Sequence, residues 1–171
     1  MKRNVYIETY GCQMNENDSE IVASIVSSNG YGLTQTPDDA DVIFLNTCSV
    51  RDNAERTIMK RLQHLRHYKK KNDKLVVGIL GCMAERLRKK LVGQENLVSI
   101  VVGPDEYRRL PSMIDRAMND EQGIAVKLSR VETYDDIEPL RTEGISAWIS
   151  IMRGCDKFCT YCVVPSTRGP E

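Results

Sequence analysis

The sequence has no excess of either charge, no long apolar run, no internal repeat and no glycine-rich phosphate loop. Lys plus Arg and Asp plus Glu both number 24 in 171 residues. No global field therefore draws the chain toward nucleic acid or anionic lipid, and any such contact must be local. No stretch approaches the roughly 20 apolar residues of a membrane-spanning helix. The opening MKRNVYIETYGC has basic residues but neither a long apolar core nor a small-residue cleavage site, so the expectation is a cytoplasmic protein with no membrane partner. The first strand-to-helix turn lacks G-x-G-x-x-G, which argues against a plain nucleotide-binding α/β domain. With 41% hydrophobic residues, the chain can pack one domain, and not comfortably two.

What is present is six cysteines, at 12, 48, 82, 155, 159 and 162. In a reducing compartment a disulfide framework is not expected, so they read as ligands, nucleophiles or buried filler.

NVYIETY alternates β-branched and aromatic residues with others and predicts a first strand. NENDSEIVASIVSSNG predicts a helix with Asp18 or Ser19 as cap, Ile21, Val22, Ile25 and Val26 as its apolar stripe, and Gly30 as its end. YGLTQT is a weaker second strand; ADVIFLNTC is a third, whose apolar run suits a strand covered on both faces. A charged helix is predicted over about Asn53 to Asn72, burying Ile58, Leu62 and Leu65. KLVVGILGC is a fourth strand, MAERLRKKLVG a helix stopped by Gly93, VSIVVGP a fifth strand, and DEYRRLPSMIDRAMND a helix interrupted at Pro111. This alternation predicts an α/β fold on a parallel sheet in a flavodoxin-like order. Only PDDAD separates the second strand from the third, short for a parallel crossover. Either a single turn begun by Pro37 suffices, or the second strand is short and differently placed. Periodicity lapses from about residue 127, where acidic residues gather at 132, 135, 136 and 138 as a linker or surface excursion. ISAWISIMRGC then reads as a new strand, with Trp148 in the core of a second domain.

Cys12, Cys48 and Cys82 each end a predicted strand that a helix follows. In a parallel sheet all such turns share one carboxyl edge, where open α/β folds place their ligands. Three thiolates held together repel one another unless a metal binds them. Gly11 and Gly81 precede two of these cysteines and would let the backbone approach a bulky ligand. Zinc with a fourth ligand and an iron–sulfur cluster with one open iron both suit the trio, as does a set of buried structural thiols. RGCDKFCTYCVVPSTRG spaces Cys155, Cys159 and Cys162 as C-x3-C-x2-C. One tight loop can so present three sulfurs to a [4Fe–4S] cube and leave the fourth iron open.

The C-x3-C-x2-C run with aromatic Tyr161 before its last cysteine resembles the radical S-adenosylmethionine enzymes. YGCQMN, NTCSVR, GCMAE and RGCDKFCTYCVVP, in this order, resemble the methylthiotransferases, most closely the MiaB type acting on tRNA. The resemblance implies two [4Fe–4S] clusters. Cys12, Cys48 and Cys82 would hold an auxiliary cluster carrying the sulfur to be inserted. Cys155, Cys159 and Cys162 would hold the cluster that cleaves S-adenosylmethionine to a 5′-deoxyadenosyl radical, with Tyr161 near the adenine. The implied reaction converts C2–H to C2–SCH3 on N6-isopentenyladenosine beside the tRNA anticodon, with an electron donor such as flavodoxin or ferredoxin. The implied domains are a methylthiotransferase domain at 1–128, a linker at 129–144, and at 145–171 the first strand and cluster loop of a partial (β/α) barrel. A fragment of this extent would not turn over alone. Ser166 and Pro170 depart from the MiaB pattern, and RGP leans toward relatives acting on threonylcarbamoyladenosine, which is the alternative substrate. A non-catalytic zinc-binding α/β module is the alternative from another class. His64 and His67, one helical turn apart among Arg56, Lys60, Arg61, Arg66, Lys69, Lys70, Lys71 and Lys74, could bind metal or phosphate, but a solvated charged face is the simpler reading. Asn15 and Asn46, beside cluster cysteines, are read first as turn-ordering residues.

Overall fold

The computed structural model describes residues 2–49, 52–92, 94, 97–141 and 147–171. Its centre is a sheet of six strands, β1 (Asn4–Tyr10), β2 (Gly32–Leu33), β3 (Val42–Thr47), β4 (Val76–Gly81), β5 (Val98–Val102) and β6 (Gly123–Ala125). They lie in the order β2-β1-β3-β4-β5-β6, and every pair is parallel. The first five follow the flavodoxin-like order, and β6 extends the far edge. The helices are α1 (Gln13–Ser28), α2 (Asp52–Lys71), α3 (Cys82–Leu87), α4 (Leu110–Ala117) and α5 (Val164–Arg168).

VIFLNT and VVGILG are buried at every position, because β3 and β4 are covered on both sides. Alternate residues feed two cores. Val42, Phe44 and Leu80 pack with Val22, Ile25 and Val26 of α1 and with Leu110 and Ile114 of α4. Ile43, Leu45, Val77 and Ile79 pack with Ile58, Leu62 and Leu65, the apolar stripe of α2, and with Met83 of α3. Phe44 and Gly78 are register partners across β3 and β4. A β-carbon on Gly78 would lie 2.7 Å from the Phe44 ring, so the missing side chain is the space that the ring fills.

A single turn suffices for the short connection between β2 and β3, and β2, though short, keeps its flavodoxin-like place beside β1. β2 is only two residues long, and a single 3-10 turn, Pro37–Asp39, carries the chain across β1. Asp41 secures the far side, its backbone N–H donating to Asn4 O at 2.9 Å and its Oδ2 accepting the Asn4 N–H at 2.9 Å.

Several sequence expectations are corrected. Helix α1 starts at Gln13 with Cys12 as its cap, not at Asp18 or Ser19. The Asn15 Oδ1 accepts the Cys12 backbone N–H at 3.3 Å, so the helix begins as soon as β1 ends. Pro111 sits in the first turn of α4, after a 3-10 turn at Tyr107–Arg109; its missing N–H would be unpaired there in any case. The helix after Cys82 gives way to a 3-10 turn at Arg88–Lys90, and Gly93 lies outside the described residues. No strand forms among residues 147–155, because no neighbouring strand offers them a ladder. Trp148 is 38% exposed rather than core.

Candidate functional site

The strand ends set the geometry. Tyr10 pairs with Thr47 across β1 and β3, and Thr47 with Gly81 across β3 and β4. Cys12, Cys48 and Cys82 follow directly along one carboxyl rim, on three adjacent strands. Strand spacing puts about 10 Å between the backbones of the outer two. The Cys48 N–H donates to Tyr10 O at 2.9 Å, carrying the pairing one residue past the strand. Cys48 and Cys82 are buried and Cys12 is exposed. None of the six cysteines is in a disulfide.

The two glycines bring the turns against one another. A β-carbon on Gly11 would lie 2.7 Å from Cys48 Cβ, and one on Gly81, at φ +88°, would lie 2.6 Å from Thr47 O. An asparagine pair then locks the rim. Asn15 Nδ2 donates to Asn46 Oδ1 at 3.1 Å, while Asn46 Nδ2 donates to Asn15 O and Ser19 Oγ, each at 2.9 Å. Both asparagines are fully buried, which makes them turn-ordering residues.

A buried charged network meets the same rim. Arg168 Nε donates to Cys82 Sγ at 3.1 Å. Its Nη1 donates to Asp18 Oδ1 at 3.1 Å, and its Nη2 lies 2.6 Å from Asp18 Oδ2. The Tyr107 hydroxyl donates to Asp18 Oδ2 at 3.1 Å. Burial pushes the Cys82 thiol up, Arg168 opposes that rise, and Cys48 is near enough to add to it. Sequence reasoning missed this network. The available signal was Asp18 itself, an acid in helical phase with Ile21, Val22 and Ile25 on the buried face of α1.

The second cysteine set forms a loop closed at its base, where the Cys155 N–H donates to Gly169 O at 3.1 Å. Cys155 Sγ accepts the Lys157 N–H at 3.4 Å, and the Cys162 N–H donates to Cys159 O at 3.0 Å. Tyr161 is 91% exposed. His64 and His67 are exposed on α2, away from the rim.

The residues fit an iron–sulfur group in donor type and backbone placement. Thiols select soft metals and such clusters, and the N–H that Arg168 directs at Cys82 Sγ is the kind of donor that would tune a cluster bound there. As the side chains stand, no three His, Cys, Asp or Glu residues among those described form a ready metal-holding group; ligation would draw the rim thiols together.

The architecture is that of a doubly wound, all-parallel α/β domain in the flavodoxin-like order with thiols at three neighbouring strand ends. The chain belongs to the family described as "Uncharacterized protein family UPF0004", whose model matches residues 4–103. It is 56% identical over 170 residues to a protein of Chloroherpeton thalassium, 53% over 171 to one of Amoebophilus asiaticus and 52% over 172 to one of Parabacteroides distasonis. Each of these is named tRNA-2-methylthio-N(6)-dimethylallyladenosine synthase. The matches cover 99% of this chain but 38%, 35% and 37% of the relatives, so the chain spans little more than a third of their length. Among the described residues no helix is long and apolar enough to cross a membrane.

Proposed function

We propose that this chain is part of a radical S-adenosylmethionine tRNA methylthiotransferase acting at C2 of N6-isopentenyladenosine beside the anticodon. Cys12, Cys48 and Cys82 hold one [4Fe–4S] cluster. Cys155, Cys159 and Cys162 hold the second, with Tyr161 beside the adenine of S-adenosylmethionine. When bound, the clusters supply a carbon-centred radical and an iron-held sulfur, which an aromatic C–H with no acidity at neutral pH requires. The observation that carries this reading is the placement of Cys12, Cys48 and Cys82 on three in-register neighbouring strands; the names of the relatives point the same way. The activity belongs to the full-length enzyme in the cytoplasm, with a flavodoxin or ferredoxin as electron donor. The proposed boundaries are a methylthiotransferase domain at 1–128, a linker at 129–144 and the opening of the radical domain at 145–171.

Anaerobic reconstitution tests the reading. A brown protein with about eight irons and eight sulfides per chain is expected. Replacing Cys12, Cys48 and Cys82 together by Ala should halve the iron. An unchanged iron content refutes that trio as one site, and colourless protein with stoichiometric zinc points to a zinc module instead. Mass spectrometry of tRNA from cells lacking the whole gene tests the substrate. Loss of the methylthio group from isopentenyladenosine is expected, and loss only from threonylcarbamoyladenosine overturns the assignment.

A further inference from the structure

The loop that carries Cys155, Cys159 and Cys162 is flanked by two Arg-Gly pairs, Arg153-Gly154 and Arg168-Gly169, and both arginines reach into the sheet domain. Arg153 Nη2 donates to Asp105 Oδ1 and to Pro104 O, each at 2.9 Å, and its guanidinium lies 4.7 Å from the centroid of Tyr134. Asp105 is buried just past the end of β5. Arg168, 3% exposed, grips Asp18, 2% exposed, on α1. The glycines complete the fastening. A β-carbon on Gly154 would lie 2.6 Å from the Pro170 carbonyl carbon, and Gly169, at φ +78°, turns the chain out of α5 so that its carbonyl meets Cys155.

We propose that Arg153 and Arg168 form a two-point clasp that registers the second cysteine loop on the rim holding the first three thiols. Arg168 is the positioning residue that joins the two sets, because one guanidinium binds Asp18 through its terminal nitrogens and Cys82 Sγ through Nε. Both anchors are acids on the carboxyl side of the sheet, and both arginines are charge-assisted donors that a flexible tether would not bury. The clasp gives the two sites a fixed separation, as transfer of a group from one to the other requires. This role rests on the proposed function, but the clasp itself can be read without metal.

The test is differential alkylation and amide hydrogen exchange on the 171-residue chain as purified, repeated after reconstitution. In Arg168→Gln, Cys82 should alkylate at least about tenfold faster and the amides of residues 155–169 should lose protection through local opening. Arg168→Lys keeps the charge opposite Asp18, so it should restore both the protection of the loop and the slow alkylation of Cys82. Removing one partner can unfold the chain, so the neutral pair Asp18→Asn/Arg168→Gln, which leaves no unpaired buried charge, is measured beside it. Arg153→Gln should open the loop without exposing Cys82. Unchanged exchange and alkylation in both Arg168→Gln and the neutral pair overturn the clasp. Iron content is a separate reading: wild type that takes up no iron refutes the cluster assignment and leaves the alkylation result standing.

Discussion

Gly11 and Cys48 meet across the boundary of β1 and β3, close enough that a β-carbon on the glycine would lie 2.7 Å from the Cβ of the cysteine. That atom is fixed to the backbone and cannot swing away. Gly11→Ala should cost about 1–3 kcal/mol through overpacking and push the Cys12 turn off the rim. Urea unfolding measures the first effect, and iron content after reconstitution measures the second. Gly30→Ala is the control. Its β-carbon meets nothing within 4 Å, although φ is +88°, so the expected cost is about 1–2 kcal/mol of backbone strain with full iron uptake.

Asn46 is the hub of the rim, with its amide bonded to Asn15 and Ser19. Asn46→Leu keeps the branched outline and strands the Asn15 side-chain and backbone groups it served. The expected loss is about 1–3 kcal/mol for leaving buried polar groups unpaired. Circular dichroism during urea denaturation reads the stability. Iron at the first site should fall, measured in a variant lacking Cys155, Cys159 and Cys162, while iron at the second should hold, measured in a variant lacking Cys12, Cys48 and Cys82.

Tyr134 and Tyr107 stack at 5.8 Å between ring centroids, but their hydroxyls do different work. The Tyr134 hydroxyl accepts the Tyr107 N–H at 2.9 Å and donates to Pro104 O at 3.0 Å. Tyr134→Phe therefore orphans the buried Tyr107 N–H, while Pro104 O keeps its bond from Arg153, and should cost about 1–3 kcal/mol. Tyr107→Phe leaves Asp18 still bound to Arg168, so a smaller loss of about 0.5–1.5 kcal/mol is expected. Equal losses in denaturant unfolding would contradict this ranking.

The sequence made the sheet legible wherever burial leaves a pattern. The near-continuous apolar runs of β3 and β4 are covered on both faces, and the spacing of Ile58, Leu62 and Leu65 marks the buried side of α2. The rim was legible too, because a cysteine directly after a strand has its position fixed by the sheet. What escaped depends on partners remote in the chain. Asp18 looked like a cap because acids open helices, yet its partner is Arg168, 150 residues on. Residues Gly123–Ala125 are too short to show a period and form β6 only because the edge of β5 is there to pair with. Residues 129–137 read as a lapse in periodicity, whereas Tyr134 is buried against Tyr107, and Glu132 and Asp136 pair with Arg108. A single aromatic and two acids carry that docking, with no repeat for a pattern to reveal.

Glu8 supplies a pH dependence whose sign follows from its surroundings. Burial alone would push its carboxyl up, but Arg61 Nε, at 2.8 Å and 3.1 Å from its two oxygens, and the Tyr10 hydroxyl, at 2.7 Å, outweigh burial and hold it below its ordinary value of 4.5. A carboxyl lowered in the folded state stabilises the fold in full above its unfolded value and loses that contribution as pH falls through the folded one. The stability difference between wild type and Glu8→Gln should therefore be constant from pH 7 down to about 4.5 and shrink below it. Arg61→Gln should flatten the same slope by removing the strongest opponent of burial. Urea midpoints taken at half-unit steps from pH 7 to pH 3 decide the matter. A difference that widens on acidification would mean that burial, and not Arg61, governs this carboxyl.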